Sequence, residues 1–190
     1  MNIIICPGIH EPELTQNFIS GLREEIAVSG VNHKTMNILI YPGNSFCNLS
    51  GFHILQFLRD RLENRLKSPV VFISFSAGVV GAIMAASLWQ LLGGHVKAFI
   101  AMDGWGVPLW ANFPIHRMSH DYFTHWSSSL LGSGHNNFYA EPAVDHLFMW
   151  RSPQATQGWW VNSSMAVSPP ASRLSAAKFL HLLLKCYEEK

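Results

Sequence analysis

Charge is scarce in this chain. Only 13% of its residues are Asp, Glu, Lys or Arg, against 48% hydrophobic, and the formal net charge is +1. No cluster of Lys and Arg stands out, so there is no electrostatic footprint for nucleic acid. The high apolar content excludes disorder over most of the sequence. Cysteine is rarer still. Cys6, Cys47 and Cys186 are odd in number and widely spaced, which fits a reducing compartment better than a disulfide framework. No uninterrupted apolar run reaches the ~20 residues that span a bilayer. The opening residues, Met1 to Gly8, lack the basic segment and apolar length of a signal peptide and read as a strand. The expectation is therefore a soluble, cytoplasmic protein, monomeric or a small homo-oligomer. It forms one domain over residues 1–190, long enough to bury roughly 70% of its unfolded surface. There is no internal repeat, no low-complexity tract and no motif calling for a cofactor.

Short apolar runs are present at Asn2–Cys6, Met36–Tyr41, Val70–Ser74, Val96–Met102, Phe113–Met118 and Asn137–Ala140. Helical periods fill the gaps between the first three. Leu14, Phe18, Leu22 and Ile26 repeat every fourth residue from Pro12 to a stop at Gly30. Leu55, Leu58, Leu62 and Leu66 form a second stripe, with Ser50 as N-cap. A third helix runs from Ala77 to Leu92 and stops at Gly93-Gly94. This alternation predicts a three-layer α/β/α sandwich around a mostly parallel sheet of about six strands. Only Asp103 to Asn112 separates the fourth and fifth runs, barely enough for a crossover. A Pro/Ser linker over 163–172 leads to a final helix through Leu174, Phe179, Leu180, Leu183 and Leu184. That helix either completes the packing or docks on a membrane or partner.

One serine stands out. The run Val70-Val71-Phe72-Ile73-Ser74-Phe75-Ser76-Ala77-Gly78 carries a buried-strand pattern straight into a helix rich in Ala and Gly. A serine on such a turn projects at the carboxyl edge of the sheet, where the N–H groups of the next helix also point. Ser74, Ala77 and Gly78 are small, as a tight turn pressed against neighbours requires.

The run resembles the G-x-S-x-G turn of the α/β-hydrolases, with Ser74 at the first glycine position. The resemblance implies a minimal α/β-hydrolase fold without a cap domain. It also implies that Ser76 is a nucleophile and that an acid and then a histidine follow it in chain order. Phe113 to Thr124 looks like the family's penultimate strand with Asp121 just past its end. Asn137 to Leu147 looks like the last strand and the loop carrying its histidine, His146. The expected triad is Ser76, Asp121 and His146. Asp103, which also ends a strand, is the alternative acid; Asp145 is adjacent to His146 and points away from it. His135 is the alternative base, while His120 and His125 bracket the acid. Pro7-Gly8-Ile9-His10 resembles the oxyanion loop, with Pro7 where the family has histidine. Backbone N–H groups of Ile9 and Ala77 are the implied oxyanion donors.

The implied activity is hydrolysis of an ester or thioester, a small-molecule acyl substrate, through an acyl-enzyme. The alternative is a non-catalytic relative that uses the same pocket for binding. Trp105, Val107, Pro108, Leu109, Trp110 and Phe113 follow the fourth run and offer an apolar wall, with Trp105, Leu109 and Trp110 as pocket residues. Equally, these and Trp150, Trp159 and Trp160 could fill the space of a missing crossover helix. His116, His120, Asp121 and His125 could be drawn as a zinc cluster, but H-E-x-x-H is missing and the expectation is no metal. Cys6 ends a buried strand and is a poor nucleophile candidate. The sequons at Asn48 and Asn162 matter only in a secreted chain.

Overall fold

The computed structural model describes residues 1–28, 36–43, 46–62, 66–162 and 172–189. Eight strands form one sheet: β1 (Asn2–Cys6), β2 (Asn37–Ile40), β3 (Val70–Phe75), β4 (Val96–Met102), β5 (Ile115–Ser119), β6 (Asn136–Ala140), β7 (Gln157–Asn162) and β8 (Ser172–Ser175). Their spatial order is β2-β1-β3-β4-β5-β6-β7-β8. The pairs from β2 to β6 are parallel, and β7 and β8 continue the sheet antiparallel.

The expected six runs become the six parallel strands with small shifts at their ends. The last two strands correct the expected count. Gln157–Asn162 shows no apolar alternation around Gly158, and that glycine is demanded by packing: a Cβ there would lie 2.1 Å from the Tyr139 carbonyl oxygen. Ser172 and Leu174, expected in a linker and in the final helix, belong to β8. The remainder of the expected linker, and the Gly30 stop, lie outside the described residues.

Alternation along the central strands sends apolar side chains to both faces. Ile3, Ile5, Val71, Ile73 and Phe75 meet helices α1 (Pro12–Val28), α5 (His146–Arg151) and α6 (Ala176–Glu188). Ile4, Cys6, Val70 and Phe72 meet α2 (Gly51–Arg61) and α3 (Gly78–Leu91). Every residue of β1 and β3 is buried, as strands covered on both faces must be. Ser50 caps α2 by accepting from the His53 N–H at 3.4 Å. No helix among the described residues is long and apolar enough to cross a membrane.

The short helix α4 (Tyr122–Ser129) follows β5 and packs on β5 and β6. The loop between β4 and β5 has no crossover helix and is held by a buried cation. Arg117 donates to the carbonyls of Gly132 at 2.6 Å, Leu131 at 3.0 Å and Val107 at 3.1 Å. Burial pulls its guanidinium down to about 10.

An aromatic column crosses the α1 side of the core. Phe18 stacks on Trp150 at 3.8 Å, and Trp150 stacks on Phe75 at 4.9 Å. Trp150 is fully buried. Trp150→Ala is expected to lower unfolding free energy by about 3–5 kcal/mol, read from denaturant midpoints with m held constant.

Candidate active site

The sheet order changes direction between β1 and β3, and the chain leaving the carboxyl ends of β3, β4 and β5 lines a cleft. Ser76 is the residue after β3 and adopts φ 52°, the left-handed region that costs a residue with a Cβ about 1–3 kcal/mol. Its N–H donates to the Met102 carbonyl at 2.9 Å, and α3 starts two residues later. The tight turn is possible because Gly8 and Gly78 have no side chains. A Cβ on Gly8 would come within 3.0 Å of both the Phe75 carbonyl oxygen and the Ser76 Cβ. One on Gly78 would lie 2.3 Å from the Pro7 carbonyl oxygen. At Ser74, the first position of the motif, the hydroxyl is buried and donates to the Ile100 carbonyl at 3.3 Å.

His146 begins α5, and its ring lies on the exposed end of the aromatic column, 4.7 Å from Phe75. Its Nε2 is 3.0 Å from Ser76 Oγ, and its Nδ1 is 2.8 Å from Asp103 Oδ2. With Asp103 ionised, Nδ1–H donates to the carboxylate and Nε2 is left to accept from the serine hydroxyl. The structure thus brings Ser76 and His146 together.

It does not bring Asp121 to them. Asp121 is the N-cap of α4, and its Oδ1 accepts from the Thr124 N–H at 2.6 Å. Its other oxygen faces His120 Nε2 at 3.5 Å. The acid against His146 is Asp103, the alternative, and the reason is adjacency. β4 pairs directly with β3, Met102 opposite Phe75, so the residues just beyond those two strands are neighbours. Asp103 also adopts a left-handed φ, 50°; it and Ser76 are the two residues other than glycine with positive φ among the described residues.

Asp103 is almost wholly buried and accepts three hydrogen bonds. Besides His146, the His120 N–H donates to Oδ1 at 2.9 Å and His120 Nδ1 lies 3.0 Å from Oδ2. Burial pushes the carboxyl up, but these donors and the nearby charge of His120 outweigh it and hold it below the ordinary value. His120 is raised in turn, chiefly by its hydrogen bond to Asp103 and against the effect of burial. This second histidine on the acid had no sequence signal beyond its position next to Asp121.

The other candidate histidines make their contacts elsewhere. His135 lies against the backbone of Ile115. His116 bonds Tyr187 Oη at 2.7 Å, and burial lowers it to about 4. His125 stacks on Tyr139. The zinc cluster drawn from His116, His120, Asp121 and His125 is therefore not assembled. Among the described residues, the grouping that could hold a cation is Asp103, His120 and His146, with donor atoms within 4.8 Å of one another.

A cleft of about 490 Å³ opens beside Ser76, with Val80, Trp105, Val107 and Phe123 as its apolar wall. Of the expected pocket residues, only Trp105 lines it. Leu109 is buried in the core on the α2–α3 side, and Trp110 is exposed beside another depression near Gly132. Trp150 fills the core, and the indole N–H groups of Trp159 and Trp160 donate to Glu141 and Asn136. Phe123 was not anticipated, although an aromatic side chain just inside a capped helix and 63% exposed is the kind of residue that lines a cleft.

Ala77 immediately follows Ser76 at the start of α3, and Ile9 follows the Gly8 that touches Ser76. Neither donates its backbone N–H to an acceptor among the described residues.

Compared with known protein families, the chain matches no family model, and it matches no curated protein. Gly78→Ala tests the turn geometry. Its Cβ would meet backbone that cannot step aside, so a loss of about 1–3 kcal/mol in stability is expected, measured by chemical denaturation.

Proposed function

We propose that this chain is a serine hydrolase of minimal α/β-hydrolase type, cleaving an ester or thioester with an apolar acyl or aryl group. Ser76 is the nucleophile, His146 the base and Asp103 the acid. One observation carries the reading: the continuous chain from Ser76 Oγ to His146 Nε2 at 3.0 Å and from His146 Nδ1 to Asp103 Oδ2 at 2.8 Å, built on a serine with left-handed backbone. Holding a serine there costs free energy, and such strain is characteristic of functional sites.

In the proposed reaction Ser76 Oγ attacks the carbonyl carbon as its proton passes to His146 Nε2. Asp103 stabilises the imidazolium that forms. The carbonyl oxygen becomes an oxyanion facing the N–H groups of Ile9 and Ala77. Collapse of the intermediate breaks the bond to the alcohol or thiol, which takes the proton from His146, and leaves Ser76 acylated. Water then repeats the sequence, with His146 taking its proton, and releases the carboxylic acid. The apolar wall of Val80, Trp105 and Phe123 suits the acyl or aryl group.

A fluorophosphonate probe is expected to modify Ser76 stoichiometrically, read by intact mass and peptide mapping. Ser76→Ala should abolish labelling and reduce ester turnover by roughly 10⁴-fold or more. Folded protein that stays unlabelled would favour a binding module instead.

The acid is tested separately. Asp103→Asn should cost roughly 10⁴-fold in turnover, because the imidazole loses its orienting carboxylate. Asp121→Asn should change turnover less than about threefold, since Asn is as good an N-cap as Asp. The reverse ranking of the two variants would restore Asp121 as the acid.

A further inference from the structure

Asn48 lies in the short 3-10 turn Cys47–Leu49 between β2 and α2, and it is only 3% exposed. The turn is packed tightly against α3: a Cβ on Gly81 would lie 2.4 Å from the Asn48 carbonyl oxygen. From this position Asn48 Nδ2 donates to the Gly8 carbonyl at 3.0 Å. The opposite amide orientation would set two oxygens face to face, so the donor must point at Gly8 even though Asn48 Oδ1 is buried without a partner among the described residues. Buried unsatisfied oxygens are disfavoured, and one retained here implies that the donor side is the useful one.

The Gly8 carbonyl and the Ile9 N–H belong to one planar peptide, in which the two groups point in opposite directions. Tying the carbonyl back into the protein turns the N–H the other way. Gly8 itself is pressed against the Ser76 turn. We infer that Asn48 is a positioning residue that fixes the Gly8–Ile9 peptide so that the Ile9 N–H faces the oxyanion formed at Ser76. This rests on the hydrolase reading. It also gives the Asn48-Leu49-Ser50 sequon a different meaning: the amide nitrogen a glycan would need is buried on Gly8.

Asn48→Leu keeps side-chain bulk and removes the donor. Expected for the full chain with a p-nitrophenyl ester is a fall in kcat of about ten- to a hundredfold, part of what an oxyanion donor is worth, with KM within about twofold. Inhibition by a trifluoromethyl ketone, whose adduct with Ser76 carries an oxyanion, should weaken by the same factor. A merely structural role for Asn48 would not make those two losses track each other while KM stays put. A second readout needs no variant: the Ile9 amide proton of the wild-type chain should move downfield in the NMR spectrum when the ketone adduct forms. A wild-type chain inert to both ester and ketone overturns the hydrolase reading and this inference together. A reactive wild type with an equally reactive Asn48→Leu, or with an Ile9 amide unmoved by the adduct, overturns this inference alone.

Discussion

The site depends on keeping one carboxylate ionised where water scarcely reaches it. An unpaired buried carboxylate would take up a proton, because desolvation costs several kcal/mol. Asp103 escapes this through three donors from two elements: the backbone and ring of His120 at the end of β5, and the ring of His146 at the start of α5. The same bonds fix the ring of His146, and with it the separation from Ser76. A carboxylate satisfied this way is also a structural joint. It ties β4, β5 and α5 together at the carboxyl edge of the sheet, where loops would otherwise be free to drift.

A second constraint comes from the core. The column Phe18–Trp150–Phe75–His146 runs from a fully buried ring to a partly exposed one. His146 is therefore held from the side by stacking and from its edge by Asp103. Each alone leaves a rotation open; stacking permits sliding in the ring plane, and one hydrogen bond permits tilting. Together they leave little freedom. The strained turn is fixed in the same layered way, by the sheet bond from the Ser76 N–H to Met102 and by the bare glycines that let the backbone after β1 close over it.

What could be read in the sequence follows from which signals are local. The parallel strands were legible because strands buried on both faces are written as plain apolar runs, such as Ile3-Ile4-Ile5. Ser76 was legible because small residues flanking a serine between a buried strand and a helix mark a tight turn that presents its hydroxyl. β7 and β8 were not, since Gly158 and the neighbouring indoles answer to contacts with β6 that no local pattern encodes. The acid is the most instructive case. Asp121 carried a competing local meaning: an Asp followed three residues later by Thr124 at the head of Tyr122–Ser129 is an N-cap. Asp103 carried only the local mark of ending a strand, which Asp121 shared. Its position beside Ser76 comes from β4 pairing with β3, a long-range fact about strand order.

Charge is sparse in the segment that lines the cleft. Between Gly104 and Ala140 the formally charged residues are Arg117 and Asp121 alone. Arg117 is spent inside, joining the β4–β5 loop to the end of α4 through the carbonyls of Val107, Leu131 and Gly132. Three carbonyls on one planar guanidinium do the work that a crossover helix would otherwise do, and they leave Trp105 and Val107 on the rim of the cleft. The Trp105 indole N–H donates to Ser127 at 3.0 Å, which joins the same loop to α4 from its outer side. Along the wall beside Ser76, Val107 turns its carbonyl inward onto Arg117 and leaves its side chain to the cleft. An uncharged group suits the side lined by Val80, Trp105, Val107 and Phe123, where a charge would lose water, while Asp103, His120, Asp121 and His146 line the polar side of the same cleft.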